Sequence, residues 1–268
     1  MQLSQEQLRK AQLLMLKILK EVHRICEENN IKYFLSDGTL IGAVRHNGFI
    51  PWDDDLDIGM LREEYEKFCK IAPEKIGEEF VLQVIETDSG YAQFFGKVML
   101  KDTLWVEDRA KDTNRKYSGI YIDIFPFDKV SKNDFLRRLK FKLFQYLNIA
   151  YSFKLGYKLV KSKISFILSK IMPKIMILKL VKSIIFSCRK SPNDKCYVSK
   201  YGGNLEKNKN VYNSYNDLVL HKFEDSSFYI PKEYDRILSN LYGDYMIPPS
   251  NPSYKHEIVE YDFGPYSS

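Results

Sequence analysis

The stretch YFLSDGTLIGAVRHNGFIPWDDDLDIGM, Tyr33 to Met60, decides how this chain is read. Four carboxylates, Asp53, Asp54, Asp55 and Asp57, fall within five positions. So close a set repels itself in a folded protein unless a cation or solvent screens it. Leu56-Asp57-Ile58 alternates apolar, acidic, apolar, the period of a half-buried strand, which projects Asp55 and Asp57 from one face and packs Leu56 and Ile58 behind. Two carboxylates side by side on a rigid strand suit Mg²⁺, which takes one or two carboxylates and completes its octahedron with water and phosphate oxygens. An acidic run also occurs as a solvated loop. Pro51-Trp52 before it, the apolar strand after it and the Gly38-Thr39 turn upstream argue for a site.

Upstream of the acids, Tyr33 to Ser36 reads as a short strand and Gly38-Thr39 as a turn opening a short helix through Arg45. Backbone N–H groups at such a helix start hold phosphate. Arg45 and His46 lie between turn and acids, and the donor fork of arginine suits a diphosphate, although a surface arginine is the ordinary alternative. Downstream, Leu61 to Ala72 reads as a helix ended by Pro73. Phe80 to Ile85 and Phe94 to Met99 read as strands around an Asp88-Ser89-Gly90 turn; Lys97 is within reach of a phosphate, but a solvated strand lysine is its default reading. Gly119 to Pro126 alternates cleanly, Ile120, Ile122 and Ile124 on one face and Tyr121, Asp123 and Phe125 on the other. A carboxylate on that aromatic face needs a partner. Asp128, beyond Pro126, reads as a cap on the following turn. Before all of these, Ser4-Gln5-Glu6-Gln7 is a capping-box start, and apolar residues from Leu8 to Cys26 recur at helical spacing, a packing helix in which His23 carries no catalytic weight.

Gly38-Thr39, a short helix and then Asp55-Leu56-Asp57 resembles the nucleotidyltransferase-fold signature. More closely, GTLIGAVRHNGFIPWDDDLDIGM resembles the core motif of the LicD family, which includes bacterial phosphocholine transferases and fukutin-related protein. YIDIFPFD is similar to that family's second motif, and Phe228 to His256 resembles its closing segment. The resemblance implies an α+β fold: a nucleotidyltransferase-like mixed sheet flanked by helices. It also implies that Asp123 joins Asp55 and Asp57 as a third acid on one Mg²⁺, with Gly38, Thr39, Arg45 and His46 meeting the phosphates of a nucleotide-activated donor.

Composition sets the outer limits. The 268 residues, 44% hydrophobic with 17 Phe and 19 Tyr, bury a substantial core and fit one catalytic domain with a large insertion. Cys26, Cys69, Cys188 and Cys196 are scattered, without metal-ligand spacing, and read as reduced thiols. No export signal core and no run of apolar residues long enough for a membrane span is seen. Charge divides the chain: Phe135 to Asn193 carries 14 Lys or Arg and no Asp or Glu, so a net charge of +6 leaves −8 on the rest. The catalytic domain is accordingly assigned to 1–134 and 194–268 and a basic helical insertion to 135–193. Within the insertion, Lys161 to Lys182, with Pro173 as a break, has the make-up of an interfacial segment for anionic lipid; Lys170, Lys174, Lys179 and Lys182 are its lipid-facing candidates. A nucleic-acid surface and a plain solvated face over a packed helix are the alternatives, and the absence of acids favours lipid over the solvated face.

The family likeness implies a phosphotransferase moving phosphocholine, or a similar phospho-alcohol, from a CDP-activated donor such as CDP-choline. The acceptor would be a sugar hydroxyl of a lipid-linked glycan precursor, for teichoic acid or lipopolysaccharide, reached from the cytoplasmic face of the cell membrane. The metal acids fit equally a nucleotidyltransferase acting on a nucleoside triphosphate, and a dead fold kept as a membrane-surface module is the third reading. Trp52, Trp105, Tyr117 and Tyr121 lie near the motifs as material for a choline cage. Ribitol and glycerol remain open.

Overall fold

The computed structural model describes residues 3–158, 162–201, 210–250 and 257–267. Lys161, at the head of the interfacial segment, and His256, at the end of the third motif block, lie outside them. Helix α1 (Gln5–Glu28) starts at the capping box, Ser4 and Gln7 each accepting the other's backbone N–H. Its buried face, Leu8, Ala11, Met15, Ile18, Leu19, Val22 and Ile25, shares one core with Ile58, Met60, Val98, Ile120, Ile122 and Ile124 of the sheet. The apolar side of the alternating Gly119 to Pro126 segment thus lies in the α1 core. The other side is left for chemistry.

The chain continues through β1 (Phe34–Leu35), α2 (Asp37–His46), β2 (Asp57–Leu61), α3 (Arg62–Lys75), β3 (Phe80–Gln83), β4 (Gly96–Leu100), β5 (Leu104–Glu107) and β6 (Tyr121–Ser131). Three helices follow, α4 (Asp134–Lys154), α5 (Lys163–Ile171) and α6 (Lys174–Ile185). Then come β7 (Cys196–Ser199), α7 (Asn213–Asn216), β8 (Leu218–Phe223), β9 (Ser226–Pro231), α8 (Tyr234–Tyr242) and β10 (Ile258–Asp262). The main sheet runs β1-β2-β6-β4-β3, with β7 on the second half of β6. Its β2–β6 pair is parallel and its other pairs antiparallel, so the sheet is mixed, with helices packed around it. Ribbons β5–β10 and β8–β9 complete the body.

Several local expectations change. Strand β2 begins at Asp57, not Asp55, and is buried on both faces because β1 and β6 flank it while α1 and the site cover it. Gly59 shows how tight this is: a Cβ there would lie 2.3 Å from the Phe34 ring and 2.7 Å from Phe127. Pro73 lies inside α3, which runs on to Lys75; the ring removes one N–H in the last turn, and Ile76 N–H still closes on the Ala72 carbonyl. Asp128 does not cap a turn but sits within the 11-residue β6, where Arg62 spans it with two hydrogen bonds of 2.7 and 2.6 Å. The basic segment is two helices: Pro173 is the N-cap of α6. His23, as expected, is structural, its Nδ1 2.7 Å from the Tyr33 hydroxyl and its ring edge-on to Phe228.

Helices α4 and α6 close over the sheet with a cluster of their own: Phe144, Leu147, Ala150 and Tyr151 against Ile177, Val181, Ile184 and Ile185, sealed by Ala92 and Ala110. The outward faces are different. Phe135, Leu139, Leu143, Ile164, Phe166, Ile167, Ile171, Ile175, Met176 and Leu180 all stand exposed, Phe135 at 72% and Ile171 at 69%.

Candidate active site

Parallel pairing of β2 with β6 sets Asp57 directly beside Asp123, and the same register sets Gly59 beside Phe125. Side chains at paired positions of neighbouring strands, about 4.8 Å apart, point to one face. The Asp123 N–H donates to the Leu56 carbonyl at 2.9 Å, fixing where this pairing starts. The first turn of α2 is tied to the same point: Asp57 N–H donates to Thr39 Oγ1 at 2.8 Å, and Ser36 N–H to the Asp57 carbonyl at 3.1 Å. Gly38 and Thr39, both buried, therefore stand at a helix N-terminus next to the acid pair. Asp53, Asp54 and Asp55 are buried as well, and their ligand atoms lie within 4.8 Å of one another. From this loop Asp55 contributes negative charge felt at both Asp57 and Asp123.

Burial of this much acid has a readable consequence. The Asp57 carboxyl is pushed well above the usual carboxylate range by burial and then by Asp55, with Lys200 opposing. Asp123 is raised by burial too, with Lys97 working against it. Two adjacent, buried carboxylates that resist ionisation are short of positive charge, and the donors on offer are all oxygen, the set a hard divalent ion takes. Mg²⁺ fits these residues.

Two lysines that carry no local sequence signal supply part of that charge. Lys97 is not solvated: β4 pairs with β6 so that Lys97 faces Asp123, and the ammonium is buried 2.8 Å from Asp123 Oδ1. The contact is an ion pair out of line for a hydrogen bond, leaving Lys97 Nζ and Asp123 Oδ1 both unbonded. Lys97 Nζ also sits 3.0 Å from the centroid of the Tyr121 ring, whose hydroxyl donates to Glu107, itself paired with Arg109. Burial depresses the Lys97 ammonium, and Asp123 only partly restores it. Lys200, after β7, reaches Asp37 at 2.5 Å. Burial alone would lower Lys200, but Asp37 and Asp57 outweigh it and hold the ammonium charged. Asp37 itself opens α2 with φ of 49°, a left-handed conformation uncommon outside glycine and typical of constrained functional positions.

Arg45 and His46 are placed differently. They end α2, so the seven residues from Gly38 put about 10 Å of helix between them and its N-terminus. Arg45 donates to the Tyr245 carbonyl at 2.7 Å and to His46 Nε2 at 3.0 Å, and burial followed by Arg45 holds His46 below the usual histidine range. The structure thus joins Gly38, Thr39, Asp57 and Asp123 at one end of α2 and ties Arg45 and His46 to the segment after α8. Of the expected cage aromatics, Trp105 is in the core and Tyr121 lies under Lys97, while Trp52 stands beside His46.

Comparison with known proteins follows this geometry. Residues 30–155 match the family model described as LicD/FKTN/FKRP, nucleotidyltransferase domain. Over 262 residues the chain is 30% identical to the lipopolysaccharide cholinephosphotransferase LicD of Haemophilus influenzae, covering 94% of this chain and 97% of that one. A shorter block of 53 residues is 40% identical to the human ribitol 5-phosphate transferase FKRP, 18% of this chain and 11% of that one. An uncharacterized Rickettsia typhi protein, RT0683, shares 48% over 65 residues, 24% of this chain and 21% of its own length. With the motifs, the mixed sheet and end-to-end similarity in agreement, the chain belongs to the LicD family of nucleotidyltransferase-like phosphotransferase homologues.

Proposed function

We propose that the protein transfers a phospho-alcohol, phosphocholine first, from a CDP-activated donor to a sugar hydroxyl of a lipid-linked cell-surface glycan precursor of the teichoic acid or lipopolysaccharide kind. The observation that carries this is the β2–β6 register, which sets Asp57 beside Asp123 at the N-terminus of α2 in a chain similar along its whole length to a cholinephosphotransferase. Asp55, Asp57 and Asp123 are the residues to hold Mg²⁺, which when bound would neutralise charge on the donor diphosphate. The amides of Gly38 and Thr39 face phosphate oxygens at the helix start. The acceptor oxygen bonds to the phosphorus that carries the alcohol, the bond to the bridging oxygen breaks, and CMP leaves with that electron pair. Asp123 holds the ion or takes the hydroxyl proton, with Lys97 keeping its carboxylate in place. Lys200 adds positive charge beside the departing phosphate. Positioning and electrostatics account for the rate.

Release of CMP from CDP-choline, CDP-ribitol or CDP-glycerol with Mg²⁺ tests the reading and names the alcohol. Pyrophosphate from CTP or ATP would instead identify a nucleotidyltransferase, and no turnover of any donor a surface module.

The same reading places the protein at the inner face of the cell membrane, with residues 135–193 as an insertion on the catalytic unit 1–134 and 194–268. Support comes from α4 to α6, where exposed Ile, Leu, Met and Phe are interleaved with basic residues and no acid follows Asp134 until Asp194. Isolated apolar residues on a surface are ordinary, but a continuous field of them marks an interaction face. Interleaved with Lys, it suits anionic lipid better than nucleic acid, which wants charge and hydrogen bonds, not isoleucine. No described helix is long and apolar enough to cross a membrane.

A further inference from the structure

Between the sheet and helices α4 and α6 lies a cavity of about 240 Å³, and its walls are aromatic: Phe94 and Phe95 before β4, Phe125 of β6, Phe144 of α4 and Tyr201 after β7. The rings line it in two groups, Phe95 and Phe125 with centroids 4.5 Å apart, and Phe94, Phe144 and Tyr201 with Phe144 5.9 Å from Phe94 and 4.9 Å from Tyr201. Phe125 lies two residues beyond Asp123 on the same face of β6, and Lys200, in the cavity wall, pairs with Asp37 at the start of α2. The cavity therefore adjoins the acid centre.

Its cations each have an acidic partner. Arg62 is bound by Asp128 in the same wall, and Lys200 by Asp37 just outside it. One ring already holds a cation on its face: Lys200 Nζ is 3.9 Å from the Phe125 centroid. Asn148, in the same wall, has its Oδ1 buried with no hydrogen-bond partner. An occupant that satisfies all this is bulky, weakly hydrated and positive. Its charge meets ring faces and one amide oxygen, and it brings no hydroxyl to be stranded against phenylalanine.

We infer that this cavity seats the quaternary ammonium end of the transferred phospho-alcohol, with the phosphate directed past Lys200 to the acid centre; the inference rests on the transferase reading above. The insertion, through Phe144 and Asn148, thereby takes part in donor selection. Trimethylammonium recognition moves from the tryptophans near the motifs to the cavity's own aromatics.

The test is calorimetric, on the full chain with Mg²⁺, comparing CDP-choline with its neutral carbon isostere, CDP-3,3-dimethylbutanol, and with CMP. Wild type is expected to prefer the charged ligand by about tenfold, the scale of a desolvated cation–π contact. In Tyr201→Leu and Phe144→Leu, chosen to keep apolar volume and checked by thermal melting, the preference should collapse while CMP binds as before. Preference that persists in both variants overturns the assignment. So does parallel weakening of all three ligands, which would place the cytidine there, and so does wild-type selectivity for CDP-ribitol lost in the variants. So, too, does CMP release from CDP-ribitol or CDP-glycerol by a wild type that neither binds CDP-choline nor turns it over; release from none of the three donors sinks the transferase reading itself, an outcome distinct from the others.

Discussion

The β2–β6 platform and the α4–α6 helices depart from the usual inside-out arrangement in opposite ways. On the platform, charge is buried: Asp57, Asp123 and Lys97 lie in the protein interior. On the helices, apolar surface is left in water: Ile167, Ile171 and Ile175 are more than half exposed. Buried charge without enough partners and exposed carbon without cover each raise the free energy of the isolated chain. On the reading proposed above, each would be relieved by something outside it, a cation and an anionic donor in one region and a lipid surface in the other. A single fold thus announces two kinds of missing neighbour, in two different physical terms.

The largest effect that would break this contrast is on turnover. Chelation by EDTA should abolish CMP release, and Asp57→Asn and Asp123→Asn should each lower it by about 10²–10³-fold, the scale of losing one electrostatic stabiliser, with circular dichroism unchanged. Full turnover in EDTA would remove the metal. Because the Asp57 carboxyl is held above its ordinary pKa by burial and Asp55, Mg²⁺ and a proton compete for it. Apparent Mg²⁺ affinity should therefore fall as pH falls, with proton uptake by the buffer visible when titrations in two buffers of different ionisation enthalpy are compared.

Next in size is stability. Lys97→Met leaves the Asp123 carboxylate without its buried partner and is expected to destabilise by about 3–5 kcal/mol in chemical denaturation. The double variant with Asp123→Asn should recover part of that loss; no recovery would mean that Lys97 acts through Tyr121 alone.

The two faces of α6 give a matched pair. Ile177→Ala, on the inward face, is expected to lose about 2–5 kcal/mol. Ile175→Ser, on the outward face, should leave stability within about 0.5 kcal/mol yet weaken sedimentation with anionic liposomes. If both destabilise alike, the outward face is packed and not a lipid surface. The smallest effect belongs to single lysines, about 1 kcal/mol each near an anionic bilayer and screened by salt. Lys170 and Lys179 are exposed and suited to that role, whereas Lys174 donates to the Ser89 carbonyl at 2.9 Å and Lys182 pairs with Glu86 at 3.2 Å. Lys170→Gln with Lys179→Gln should lower vesicle binding more than Lys174→Gln with Lys182→Gln, which loosens the helices from the body instead.

Much of the platform was legible because it is written in short-range pattern. Alternation from Ile120 to Phe125 assigns Asp123 its face, and the Leu56-Asp57-Ile58 alternation points to the strand that carries Asp57. The capping box of α1 is likewise local, satisfied within four residues. What was not legible depends on register between distant strands. Lys97 looks like any strand lysine until β4 is laid antiparallel on β6 and brings it opposite Asp123. Asp37 and Lys200 meet across 163 positions, and no motif joins them. Asp128 was misplaced because Pro126 suggested an end to the strand. A proline on β6 is tolerated where the strand changes partners, from β4 on one side to β7 further along. Arg45 likewise finds its partner far off in sequence, donating to the Tyr245 carbonyl 200 positions on, which no local pattern carries.

Strand β6 holds one more consequence. The chain leaves the sheet after Ser131 and rejoins it at Cys196, and these two residues are paired neighbours across β6 and β7. Everything between them departs and returns through a single doorway, as the loop of a very large hairpin would, and closing a longer loop adds little entropy per residue. On the insertion reading proposed above, such a segment would be a cassette. Another of different length or polarity could be plugged into the same socket without moving Asp123, carrying both the Phe144 side of the cavity and the exposed isoleucines with it. Choice of donor and choice of surface would then change hands together, in one genetic step.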